Sequence, residues 1–131
     1  MKIKDTYAVL MGEMISGTEV FIGAKREDKF GHMVLAGLGG IFIEVLHDVN
    51  ASLSPVSRNE AEYMIKNLKS YKIIEGVRGK EGINQEIFID QIQRISALVE
   101  AAPEIFEMDL NPLLGNMKYV KAVDARIRIE K

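Results

Sequence analysis

The chain has 131 residues, 47% hydrophobic and 27% charged, a length that fits one domain or one lobe of a larger one. Seventeen basic against nineteen acidic residues leave a formal charge of −2, which gives no electrostatic pull toward nucleic acid or an anionic membrane. The absence of cysteine excludes disulfides, thiolate nucleophiles and Cys-ligated metal sites, and two histidines, His32 and His47, are too few for a multi-histidine centre.

No apolar run approaches the ~20 residues that cross a bilayer, and the start, Met-Lys-Ile-Lys-Asp, lacks the apolar core of a secretion signal, so a soluble cytoplasmic protein is expected. Residues 7–54 read as strands. Residues 8–14 are apolar, Ser16-Gly17 signals a turn, residues 18–25 alternate and are rich in β-formers, and residues 32–38 form a third run. After Gly39-Gly40 comes a further apolar run, 41–46, and then a polar stretch to Pro55. The period then changes. Ser57-Arg58-Asn59-Glu60 fits a capping box, and Ala61, Met64, Ile65 and Leu68 follow at i, i+3, i+4 and i+7. Residues 76–83, with three glycines, read as a loop. A second helix is expected over 84–102, burying Phe88, Ile92, Ile95 and Val99 and ending at Pro103. Two strands close the chain, 104–111 and 118–130, joined through Pro112 and Gly115-Asn116. Strands dominate and two helices interrupt them late, so the fold class is α+β.

The last hairpin carries the clearest chemistry. Alternation puts Phe106, Met108 and Leu110 on one face and Glu107, Asp109 and Asn111 on the other. In the next strand Val123, Ala125, Ile127 and Ile129 form an apolar face opposite Asp124, Arg126 and Arg128. Antiparallel pairing can bring the two polar faces together as carboxylates, an amide and guanidiniums. Mg²⁺ takes hard oxygen ligands of this kind, with one or two carboxylates plus substrate phosphates, and arginine binds phosphate oxygens. The competing reading is an ordinary solvated strand face of mixed charge. Two further candidates are weaker. Gly37-Leu38-Gly39-Gly40 can let backbone N–H groups approach a phosphate, but it is neither a P-loop nor a Rossmann fingerprint and serves equally as a tight turn. Glu19 and Lys25 share a strand face with Phe21 and Gly23, where they can serve a ribose and phosphates or simply be solvated. The histidines read as structural or surface groups.

Taken together these segments resemble a known family. The run from Gly17 through Phe30-Gly31, the run from Val34 through His47-Asp48, Leu53-Ser-Pro-Val-Ser-Arg58, Glu107-Met-Asp-Leu-Asn-Pro-Leu113 and Ala122-Val-Asp-Ala-Arg-Ile127 are similar to the ATP-grasp domain of ADP-forming acyl-CoA (acetyl-CoA) synthetases, relatives of the succinyl-CoA synthetase β subunit. The resemblance covers nearly all of residues 1–131 in order, as a single domain or lobe, and implies the C-terminal half of an ATP-grasp domain, a mostly antiparallel sheet with two helices packed on one face. It implies Asn111 and Asp124 as Mg²⁺ ligands with Asp109 beside them, and Glu19 on the nucleotide ribose. It also implies a hinge over Met11–Met14, including Gly12 and Glu13, along the adenine. The residue patterns read above are what put Gly39, Gly40 and Arg126 near the phosphates. His32 stands where the family usually has Pro, and Gly12 where the hinge usually has Gln or Glu.

The implied cofactors are Mg²⁺ and ATP/ADP, and the implied reaction is acyl-CoA + ADP + phosphate ⇌ acid + CoA + ATP. The family's N-terminal lobe, CoA-binding domain and phosphate-carrying histidine lie outside the matched half. The expected partners are therefore other domains or subunits of an acyl-CoA synthetase, and the chain alone is expected to be inactive and to form a homo-oligomer. A non-catalytic, partner-binding lobe is the alternative.

Overall fold

The computed structural model describes residues 17–130, and of residues 41–43 the backbone only. The expected strand at 8–14, the hinge with Gly12 and Glu13, and Ser16 lie outside the described residues. In chain order the elements are β1 (Thr18–Glu27), β2 (Gly31–Leu38), α1 (Ile41–Leu46), β3 (Val49–Leu53), α2 (Arg58–Lys66) and α3 (Tyr71–Glu75). They continue with β4 (Gly76–Val77), β5 (Lys80–Glu81), α4 (Gln85–Ala101), β6 (Ile105–Gly115), β7 (Val120–Ala122) and β8 (Ala125–Ile129). One antiparallel sheet runs β3-β2-β1-β6, and the outer edge of β6 is shared by β7 and β8; β4 and β5 form a separate small ladder.

Helices α2 and α4 pack on one face of this sheet, as expected of the lobe. Val20, Ile22, Ala24, Val34, Ala36, Leu38 and Met108 point toward them and are buried. Against these α2 lays Ala61, Met64 and Ile65, and α4 lays Phe88, Ile92, Ile95 and Val99. The capping box is present: the Ser57 Oγ accepts from the Glu60 N–H at 3.1 Å, and the Glu60 carboxylate accepts from the Ser57 N–H at 2.9 Å. Asn84 caps α4 by accepting the Ile87 N–H at 3.2 Å. No helix among the described residues is long and apolar enough to cross a membrane.

Four expectations are corrected. Residues 41–46 form a helix, not a strand. Gly40, at φ +61°, turns the chain out of β2, and the Glu44 N–H then closes on the Gly40 carbonyl. A six-residue apolar run suits either period, so alternation could not decide. The strand beside β2 is instead β3, inside the stretch read as polar; its pairing of Ala51 with Leu35 and Leu53 with Met33 supplies the missing edge. Residues 76–83 hold the β4–β5 ladder and not only a loop.

The fourth correction shapes the site. The strand expected to stop at Asn111 continues through Pro112 to Gly115. Val20 faces Leu113 and Ile22 faces Leu110, so Phe21 alone stands opposite both Asn111 and Pro112. Such a bulge is where a strand tolerates proline, and it resets the alternation so that Leu110 and Leu113 both turn toward the helices. Leu113 is 1% exposed. The partner strand divides at the same level into β7 and β8. Its Val123 N–H donates to the Pro112 carbonyl, and the Asn111 N–H donates to the Asp124 carbonyl. A second bulge makes Phe106 an extra residue, because Ile105 faces Ile129 and Glu107 faces Arg128. Ile105, not Phe106, therefore joins Met108 in the core. The apolar row on β8 is left uncovered, with Ile127 and Ile129 both more than half exposed.

Candidate metal and phosphate site

On the sheet face away from α2 and α4, pairing register builds two cross-strand rows. Lys25 of β1, Glu107 of β6 and Arg128 of β8 form one; Gly23, Asp109 and Arg126 form the next. Gly23 has no side chain with which to cover the Asp109 carboxylate from the β1 side. One position further along, the backbone bond from Asn111 to Asp124 (3.2 Å) sets those two residues opposite each other.

The charges interlock. Arg128 Nη2 lies 3.5 Å from Glu107 Oε1 and 4.0 Å from Glu130 Oε2, and Arg126 Nε lies 3.9 Å from Asp124 Oδ2. The other Asp124 oxygen accepts the Ala125 N–H at 2.9 Å. Burial pushes the Asp109 carboxyl above its ordinary range. Arg126 opposes that rise, while the Asp124 and Glu107 carboxylates add to it. Glu107, Asp109, Arg126 and Arg128 line a recess of about 350 Å³.

These donors fit a hard divalent cation. Negative charge gathered at Asp109 is what a bound cation relieves, and the Glu107 and Asp124 carboxylates stand near enough to act on it. Among the described residues no three acidic or histidine side chains converge on one point. A cation here would take one or two carboxylates and complete its shell with other oxygens, the habit of Mg²⁺.

Glu19 and the glycines come together at a different level of the same sheet. The Gly39 N–H donates to the Glu19 carbonyl at 2.8 Å, and a Cβ on Gly40 would stand 3.4 Å from the Glu19 carboxylate. Four β1 residues, about 13 Å at ~3.3 Å per residue, separate this pair from the Gly23–Asp109 row. A carboxylate over Gly40 suits a hydroxyl-bearing group better than a phosphate. The histidines stand apart from the recess: His32 is buried with Nε2 2.7 Å from the Ile105 carbonyl, and His47 is exposed at φ 52°. A larger cavity of about 560 Å³, between Thr18, Gly115 and the β4–β5 ladder, has Lys80 and Glu81 as its charged lining among the described residues and lies away from the recess.

Sequence reasoning missed Arg26 and Phe106. The Phe106 ring holds the Arg128 guanidinium at 4.5 Å and that of Arg26 at 5.3 Å. Arg26 also donates to the Pro103 and Glu130 carbonyls at 3.0 and 3.3 Å. Only the bulge at Phe106 makes this possible, and nothing in the residue pattern announces it.

The sheet carries its helices on one face and a carboxylate–arginine recess on the other, a lining suited to a phosphate-bearing ligand with a cation. Residues 3–129 match the ATP-grasp domain, and the chain belongs to that family. Its relatives include ADP-forming CoA ligases. It is 39% identical to the β subunit of acetate–CoA ligase (ADP-forming) I of Pyrococcus furiosus, over 94% of this chain and 53% of that protein. It is 44% identical to the 4-hydroxybutyrate–CoA ligase (ADP-forming) of Nitrosopumilus maritimus, over 91% of this chain and 18% of that protein. The fold superposes on acetyl-coenzyme A synthetase 1 of Ca. Korarchaeum cryptofilum with a TM-score of 0.84 and 42% identity, covering 87% of this chain and 50% of that one. Another structure of that synthetase, at TM-score 0.83, holds coenzyme A and Mg-AMPPCP, with its phosphohistidine segment pointing towards the nucleotide binding site. The chain thus spans about half the length, or less, of the relatives it matches.

Proposed function

We propose that this chain is the nucleotide- and Mg²⁺-binding lobe of a cytoplasmic ADP-forming acyl-CoA synthetase, acting in acyl-CoA + ADP + phosphate ⇌ acid + CoA + ATP. The observation that carries this is the recess in which Asp109 sits among Glu107, Asp124 and Arg126, in a chain of the ATP-grasp family.

In this reading Asp109, Asn111 and Asp124 hold the cation. Bound Mg²⁺ supplies positive charge against the phosphate oxygens. Arg126, the most exposed of the group, turns its guanidinium to the phosphate side, and Asp124 keeps it aimed. Glu19, whose carboxylate lies over Gly40, accepts from ribose hydroxyls. Gly12 and Glu13 would line the base. The lobe's task is positioning: it fixes the phosphates, while the acyl, CoA and phosphate-carrying groups come from other domains or subunits.

The test is complementation. The chain, coexpressed with the remaining ATP-grasp half and CoA-binding subunit of a related ligase, should form ATP from acetyl-CoA, ADP and phosphate. Asp124→Asn should lower kcat at least tenfold without dissociating the assembly. Full activity with Asp124→Asn would refute the assignment.

A further inference from the structure

The recess carries its own counter-ions, and this has consequences for what can enter. Register places Glu107 opposite Arg128 and Asp109 opposite Arg126, so each acid faces a guanidinium across the strand pair. The Glu107–Arg128 contact is 3.5 Å, and Arg128 is restrained further by the Phe106 ring at 4.5 Å and by Glu130 at 4.0 Å. Arg26 braces the same corner through the Phe106 ring and the two carbonyls at the ends of β6 and β8. Arg128 is thus a held group and not a freely solvated side chain, although it is 57% exposed.

We propose that the Glu107–Arg128 pair is a charge lock: the recess accepts a divalent cation and a phosphate together and resists either ion alone. This rests on the function proposed above. A lone phosphate must draw Arg128 away from Glu107 and then face an unpaired carboxylate. A lone cation held by Asp109 and Asp124 must sit beside the Arg126 and Arg128 guanidiniums with no anion to answer them. When both arrive, the guanidinium turns to the phosphate and the cation answers the carboxylate that it leaves, so that no charge is left unpaired. The lobe thereby distinguishes a metal–nucleotide complex from free nucleotide. Glu107 and Arg128 set this selectivity, and Phe106 and Arg26 are positioning residues acting through Arg128.

A double-mutant cycle tests the lock. Wild type, Glu107→Gln, Arg128→Gln and the double variant are titrated with ADP in EDTA and with Mg-ADP, following amide shifts by NMR. Removing Glu107 frees Arg128, so Glu107→Gln should bind metal-free ADP about threefold to fivefold more tightly, the upper range for a half-exposed ion pair. In the Arg128→Gln background the same change should give less than twofold. With Mg-ADP, Glu107→Gln should give no gain. Equal factors in both backgrounds would mean simple loss of a negative charge and would overturn the lock while leaving the nucleotide site intact. ADP shifts absent from all four proteins, with and without Mg²⁺, would overturn the functional reading itself.

Discussion

Asp48 is a buried acid that ties the sheet to the turn between α2 and α3. It is 2% exposed, at the entry to β3, and its two carboxylate oxygens accept the backbone N–H groups of Lys69 at 2.6 Å and Ser70 at 2.8 Å. Those donors belong to the turn between α2 and α3, so one side chain ties the turn to the sheet. A hydrogen bond to a charged group contributes about 1.5–3 kcal/mol, and water recovers part of the loss because the turn is only half-buried. Asp48→Ala should therefore cost about 3–4 kcal/mol. At ~2.1 cal/mol/K per residue over 131 residues, this lowers Tm by about 11–15 °C. Asp48→Asn keeps one acceptor but turns an NH₂ toward the second N–H, and should fall between the two. Thermal melts followed by circular dichroism measure all three. An Asp48→Ala protein melting within 2 °C of wild type would refute the tie.

Three further predictions concern other groups. Ser96 is 2% exposed and its Oγ accepts the buried Val56 N–H at 2.8 Å, so Ser96→Ala should cost about 1–3 kcal/mol in urea unfolding; no change would mean that Val56 finds another partner. Asp109 titrates higher folded than unfolded, so the folded state holds its proton longer, and the stability that this contributes is lost as pH rises through the folded value. Asp109→Asn should match wild type in urea midpoint at low pH and exceed it at neutral pH; a constant difference across pH would contradict the raised value. Calorimetry of the chain with Mg-ADP should give a Kd no tighter than about millimolar, roughly −4 kcal/mol, because the recess is walled from one side only among the described residues; micromolar binding would contradict a half-cleft.

Much of this was legible in the sequence because it rests on local rules. The capping box at Ser57, the stripe from Ala61 to Leu68 and the buried face of α4 follow from period and caps alone. The polar face of Glu107 and Asp109 followed from alternation, which pairing then carried across to Arg128 and Arg126. The failures have a common origin in long-range pairing. Alternation breaks at the two β6 bulges, and what makes Pro112 tolerable mid-strand, or moves Phe106 out of the core, is the residue opposite. Residues 41–46 were ambiguous because six apolar residues fit either period, and the space beside β2 went to β3. The Arg26–Phe106–Arg128 group depends on residues 102 positions apart in the chain meeting through one bulge.

The central claim is that cation and nucleotide meet on the β6–β8 face. The most direct measurement is paramagnetic broadening of the chain's amide signals by Mn²⁺ with ADP, the Mn²⁺ standing in for Mg²⁺. The account predicts that signals of residues 107–111 and 123–126 broaden first, that those of Glu19, Gly39 and Gly40 shift with the nucleotide, and that the acidic surface of α2 around Glu60 and Glu62 stays sharp. Broadening centred on α2, or spread evenly over the acidic surface, would contradict it.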